Sequence, residues 1–226
     1  MSLWSRILDV LASLAPGEAL SGLFDRLRTP PDRSVAFTIA VIALSAKMAK
    51  ADGLVTRDEV SAFREVFTIA PSEIDNAARV FDMARTDVAG FEEYARRIQK
   101  MFADDTDTLR DLMEGLFHIA MADGTYHPAE DDFLTRVAQI FRLSEREFRS
   151  LRTRFVPGVE PDCHEVLGVA PDAPMEEIRA AWRAAVRETH PDRLMARGLP
   201  EEAVKLAEKR LIAINRAWEK IQADEA

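Results

Sequence analysis

In the stretch 178–193, IRAAWRAAVRETHPDR, a strongly helical pattern runs straight into a proline. Ile178, Ala181, Trp182, Ala185 and Val186 recur at spacings of three and four, so they share one face of a helix. A proline inside a helix removes a hydrogen bond and clashes with the preceding turn, at a cost of about 3 kcal/mol. The helix must therefore end before Pro191, and His190-Pro191-Asp192 must form a turn. On the N-terminal side, DCHEVLGV predicts a short helix with Asp162 as its N-cap and Gly168 as its terminator. On the C-terminal side, Ala207, Leu211, Ile214, Trp218 and Ile221 alternate by four and three, the pattern of a helix laid antiparallel to the first.

Composition sets the outer bounds. The 226 residues are 47% hydrophobic and 31% charged, which is the balance of an ordinary globular chain with room for one large domain or two small ones. A net charge of −9 argues against general nucleic-acid binding, which needs a basic surface. A single cysteine, Cys163, excludes an internal disulfide framework and a thiolate zinc site, and points to a reducing, cytoplasmic compartment. No cofactor is expected, and no set of nucleophile, base and orienting group suggests an enzyme.

Residues 1–27 carry Trp4, Ile7, Leu8, Leu11 and Leu14 at helical spacing, interrupted by Arg6, Asp9 and Pro16. No run approaches the roughly 20 apolar residues of a spanning helix. Two readings stand: an amphipathic helix docked on the protein's own core, or a peripheral contact with the inner membrane or a second copy.

From Ser34 to about 155 the chain reads as helix after helix. SVAFTIAVIALSAKMAKADG (34–53) is apolar nearly all round and is expected at the centre of a bundle. TRDE (56–59) is a capping box, and SEIDNAARVFDMAR and VAGFEEYARRIQKMF follow as further helices. An internal echo pairs 49–67 with 120–138: Ala51, Asp52, Gly53 and Glu59 match Ala122, Asp123, Gly124 and Glu130. Two helix-turn-helix units about a pseudo-twofold axis are the simplest account. Asp52, Glu59, Asp123 and Glu130 are candidate ligands for a divalent cation, but their spacing fits turn and cap roles better than a calcium loop. Pro128 suits the first helical position before Glu130.

The doubled ADG turn with its following glutamate resembles the TerB-like domain named after tellurite-resistance proteins, over about 34–155. Two prolines and a glycine in RFVPGVEPD (154–162) suggest a boundary, giving an N-terminal segment 1–33, a bundle 34–155, a linker 156–161 and a second domain 162–226. That second domain resembles the J-domain of DnaJ-type co-chaperones, on DCHEVLGV, the basic helix, HPD and INRAWEKI. Cys163 and His164 stand where that family usually has aromatics, and Trp182 and Trp218 where tyrosine is usual. The pairing of the two, with a long loop after HPD (193–210), resembles DjlA-like bacterial co-chaperones, but with no membrane anchor expected here.

The resemblance implies an all-α protein that docks on a DnaK-type chaperone and stimulates its ATP hydrolysis. Its site would be His190, Pro191, Asp192 and Arg193, with Arg179, Arg183 and Arg187 as a basic stripe for an acidic partner surface. The stripe's plain alternative is a solvated face paired with Glu176 and Glu188. The bundle would choose a client or a location. The second functional reading is a stress-related adaptor or metal-responsive protein acting through the bundle. His118, His127 and His164 are read as structural.

Overall fold

The structure, a computed structural model, describes residues 3–14, 20–25, 27, 33–52, 74–87, 89–122, 124–156 and 162–224. Every regular element among them is helical. In chain order these are α1 (Leu3–Ala12), a 3-10 turn (Leu20–Asp25), α2 (Arg33–Asp52), α3 (Ile74–Thr86), α4 (Phe91–Met101), α5 (Thr106–Ala120), α6 (Pro128–Ile140), α7 (Glu145–Phe155), α8 (Cys163–Leu167), α9 (Met175–Glu188), α10 (Pro191–Ala196) and α11 (Glu201–Asp224).

α2 is the axis of the bundle, as its all-round apolarity predicts. Val35 to Ala49 are buried without interruption, and α1, α3, α4, α5 and α6 all pack on this helix. A helix apolar on every face is stable only when surrounded. α5 supports it with Leu109, Leu112, Leu116 and Phe117, all essentially inaccessible. Gly115 lies at that approach: a Cβ there would meet Val41 at 3.7 Å and Leu206 at 3.9 Å, ordinary contact distances, so α2 and α11 both come close to α5 at this point.

α1 lays Trp4, Ile7 and Leu11 into the same core. The face that a membrane contact would require is therefore occupied by the protein itself, as the first of the two sequence readings expects. No described helix is long and apolar enough to cross a membrane. Of the internal echo, the second unit stands as α5, a turn and α6. The first unit's opening helix is the latter part of α2. Gly53, the TRDE box and Glu59 lie outside the described residues, as do 71–73 and most of the proposed linker.

The C-terminal elements depart from the sequence reading in two ways. Residues 193–210 are not a long loop. Pro191 starts the short helix α10, Gly198 with φ +76° breaks it, and α11 begins at Glu201. Nor does α11 use its whole length against α9. Ile214, Ala217, Trp218 and Ile221 join Leu167, Val169 and Ile178 in a small second core, where Trp182 stacks on Trp218 at 5.1 Å and donates its indole N–H to Asn215 Oδ1 at 3.0 Å. Ala207, expected in that seam, lies in the bundle core instead, together with Leu194, Leu199, Ala203 and Leu206, while Leu211 is only half-buried between the two. The reason is register: the apolar stripe continues past the end of α9, and α5 covers the part that α9 cannot reach.

One helix thus belongs to both cores, which predicts a single cooperative unfolding transition. Leu206→Ala, a change far along the sequence from the bundle, should lower the whole protein's stability by about 2–5 kcal/mol. Two separate transitions by calorimetry, only the second of them shifted, would contradict a shared core.

Candidate functional site

α9 ends where the sequence requires. The Thr189 N–H bonds the Ala185 carbonyl at 3.0 Å, and the Thr189 residue is buried. His190 then turns extended (φ −63°, ψ 130°) and caps α10, its Nδ1 accepting the Asp192 N–H at 3.2 Å. Pro191 occupies the first helical position, where its missing N–H costs nothing. The Arg193 N–H closes the turn on the His190 carbonyl at 3.0 Å. The His190 and Asp192 side chains are left 56% and 82% exposed, so the carboxylate and the rest of the imidazole face outward while Nδ1 caps α10.

Arg179, Arg183 and Arg187 line up along α9 at four-residue spacing, all exposed. Arg179 sits over the Trp218 ring at 6.0 Å. Among the described residues none of the three forms an ion pair, and neither Glu176 nor Glu188 neutralises them. The face is solvated, as in the plain alternative, but without the pairing to Glu176 and Glu188. Arg193 points the other way, 4.0 Å from Asp107 at the start of α5.

Behind the tripeptide lies a charge network that sequence reasoning did not find. Asp105, the N-cap of α5, takes Arg33 Nη2 on one oxygen at 2.5 Å and Arg197 Nη2 on the other at 3.0 Å. Arg197 also reaches Thr108 Oγ1 at 2.8 Å and Asp111 Oδ2 at 3.2 Å. Asp111 takes Arg210 at 2.7 Å, and Arg210 then meets Glu114 at 3.0 Å. Arg154, 3.1 Å from the other oxygen of Glu114, ends the chain. Acid and base alternate throughout, and each carboxylate binds two guanidinium groups. Asp111 and Glu114 are only 4% and 3% exposed. The signal was present in TDTLRDLMEGLFHIA, where Asp111 and Glu114, three residues apart, stand among the apolar positions Leu109, Leu112, Met113 and Leu116. What the sequence lacked was the identity of the arginines, which come from four distant elements.

Burial and pairing compete along this network. Burial raises the Asp111 carboxyl, with Arg210 and Arg197 opposing it. Burial would lower Arg210, but Glu114 and Asp111 outweigh it and push the guanidinium up. Burial lowers Arg154, against the pull of Glu114. For Asp105 burial acts upward, yet the Thr108 hydrogen bonds and Arg197 prevail and hold it below its ordinary value. Beside the network, Arg110 bonds both Asp107 and Glu147, and a cleft of about 280 Å³ opens between α5, α7 and the C-terminal elements.

Of the four candidate metal ligands, only the Glu130 side chain lies among the described residues. Glu130 is 2% exposed, and its Oε2 accepts the His127 N–H at 2.9 Å in a capping box with Pro128 at the first position. This is the structural role the spacing favoured. Glu59 and Asp123 lie outside the described residues, as does the Asp52 side chain. No group of three or more His, Cys, Asp or Glu able to hold a metal occurs among the described residues. His127 is the N-cap of α6, His118 meets Phe155 edge-on at 6.4 Å, and His164 stands 3.2 Å from Asp162.

Glu114→Gln should cost about 3–5 kcal/mol, because Arg154 and Arg210 would remain buried without their shared partner. The pH dependence follows from Asp105. Its pKa is depressed in the folded state, so its contribution is complete above the unfolded value of 3.8 and is lost as pH falls through the lower folded value. Asp111 works in the opposite sense, its raised pKa making ionisation costlier as pH rises. Urea unfolding across an acid series should show a shallower pH slope for Asp105→Asn than for the parent protein. An unchanged slope would contradict the assignment.

Comparison with known proteins matches the two parts of the chain to two family models. The family model for tellurite resistance protein TerB matches residues 38–153, more than half of the chain, and the DnaJ domain model matches 162–226. Relatives described as co-chaperone protein DjlA include that of Photobacterium profundum, 26% identical over 92% of this chain and 84% of its own length. That of Vibrio cholerae is 27% identical over 90% of this chain and 83% of its own length, and that of Escherichia coli K12 is 23% identical over 98% of each. No solved structure gives a significant match. With more than half its length matched by that model, and with the HPD-bearing helix pair at its C-terminus, the chain belongs to the TerB family and carries a DnaJ domain.

Proposed function

We propose that this protein is a co-chaperone that docks on a DnaK-type chaperone through its HPD turn and basic helix and stimulates ATP hydrolysis by that partner. The observation that carries this reading is the exposure of His190 and Asp192 on a rigid turn beside three unpaired arginines. A carboxylate in that position accepts charge-assisted hydrogen bonds from a partner arginine or backbone donor. The stripe supplies local positive potential toward an acidic surface, in a protein that is acidic as a whole. The protein itself performs no catalysis: the chemistry belongs to the partner, and the co-chaperone class is non-enzymatic.

The reading extends to Pro191 and Arg193. Pro191 fixes the start of α10, and Arg193 lies half-exposed at the edge of the turn. The TerB domain is read as the part that selects a client or a location. Relatives called DjlA over most of this chain support the co-chaperone class.

Steady-state ATP hydrolysis by a purified bacterial DnaK-type chaperone tests this directly. The wild-type protein should stimulate hydrolysis, and His190→Gln and Asp192→Asn should each abolish the stimulation, Asp192→Asn with thermal unfolding unchanged and His190→Gln, which removes the cap on α10, at a cost of about 1 kcal/mol. Arg183→Glu should raise the half-saturating concentration, with a steeper effect at low salt. Wild-type protein that leaves the chaperone's rate unaltered would overturn the reading for that partner.

A further inference from the structure

The buried charge network reaches the HPD turn through one residue. Arg197 is the C-cap of α10, and its N–H closes that helix on the Arg193 and Leu194 carbonyls. Its guanidinium crosses to α5, where it bonds Asp105 and Thr108 and stands 3.2 Å from Asp111. Leu194, one turn earlier, is fully buried in the bundle core. A six-residue helix does not persist through its own hydrogen bonds, because nucleation costs more than so short a ladder returns. The placement of α10 is therefore dictated by what Leu194 and Arg197 bind, and both bind the TerB domain. The other end of the same helix is Pro191 and Asp192.

We propose that Asp105, Thr108 and Asp111, acting through Arg197, are positioning residues for the HPD turn, so that the TerB domain takes part in activating the chaperone. This rests on the co-chaperone reading above. None of the four needs to touch the partner. They hold the helix whose first turn presents His190 and Asp192, while the arginine stripe on α9 lies outside their reach. Docking affinity and maximal stimulation should accordingly separate: the stripe sets the first, and the geometry of α10 sets the second. A fixed pose is worth much here, since misplacement by about 1 Å can reduce a geometry-dependent rate by about a hundredfold.

The test titrates the full-length chain against the DnaK-type ATPase at a temperature where every variant is folded, comparing Arg197→Met, Arg197→Lys, Asp105→Asn and Leu206→Ala. Arg197→Met should lower maximal stimulation by about tenfold while leaving the half-saturating concentration within about twofold of wild type. Arg197→Lys should recover part of the maximum. Leu206→Ala weakens the core without touching Arg197 and should keep the full maximum. Amide exchange at residues 190–197 should quicken in Arg197→Met and Asp105→Asn, a readout that needs no chaperone. Wild-type maximal stimulation with unchanged exchange in Arg197→Met would overturn the proposal, as would an equal fall in Leu206→Ala. Should Arg197→Met fail to fold, Asp105→Asn carries the same comparison. A wild-type protein that does not stimulate the ATPase sinks the co-chaperone reading instead, and the exchange data then decide whether Arg197 orders the turn.

Discussion

The alternation of acid and base between α5 and the C-terminal helices is the constraint from which the rest of the arrangement follows. Removing an ionised group from water costs several kcal/mol even after relaxation, so a buried chain of them survives only if each member finds its partners. Here Asp105, Asp111 and Glu114 each bridge two arginines. Four arginines against three carboxylates leave one positive charge in excess. Arg110 with Asp107 and Glu147 beside them leaves one negative, so the neighbourhood closes near neutrality. Satisfaction is not complete: Asp111 Oδ2, Arg197 Nε and Arg210 Nε are buried with no hydrogen-bond partner among the described residues. Such a network contributes less to net stability than an apolar patch of equal volume would. Its effect on α11 comes through Arg210, the one network arginine on that helix: sliding α11 along α5 would part it from Asp111 and Glu114.

Apolar contact supplies what the charges do not. α11 is 24 residues long, about 36 Å at the usual rise, and serves two cores in succession. Leu206 and Ala207 belong to the bundle; Ile214, Trp218 and Ile221 belong to the small core. Arg210 lies between the two sets, so the charged register mark stands where apolar packing alone would tolerate a shift. The C-terminal module is thereby held in a defined orientation on the TerB domain, while α10 takes its own place from Leu194 and Arg197.

Local features were legible in the sequence because their causes are local. The all-apolar α2, the Asp162 cap, the Gly168 terminator at φ +69° and the Glu130 capping box all stand as read. Pro191 was read as ending one helix, which is true of α9. That it also begins another follows from His190 acting as an N-cap, a role histidine plays less often than serine or aspartate. The misassigned half of α11 has a different cause. Periodicity marks which face of a helix is buried, but is silent on what buries it, and Ala207 looks the same whether α9 or α5 lies against it. The charge network is the extreme case, since its members are separated by up to 177 positions between Arg33 and Arg210 and no local pattern links them.

The electrostatics of the exposed face can be separated from those of the whole chain. A net charge of −9 is spread over the entire surface, whereas charges further apart than about 8 Å are largely screened at physiological salt. A partner at α9 therefore senses Arg179, Arg183 and Arg187 before it senses the overall sign. Those three remain unpaired while arginines elsewhere are consumed by the buried network or by helix-surface pairs such as Arg96 with Glu92. On the proposed reading, the stripe captures the chaperone and the turn at His190 engages it. The TerB domain, joined to that turn through Arg197, would then fix where anything it carries stands relative to the docked partner.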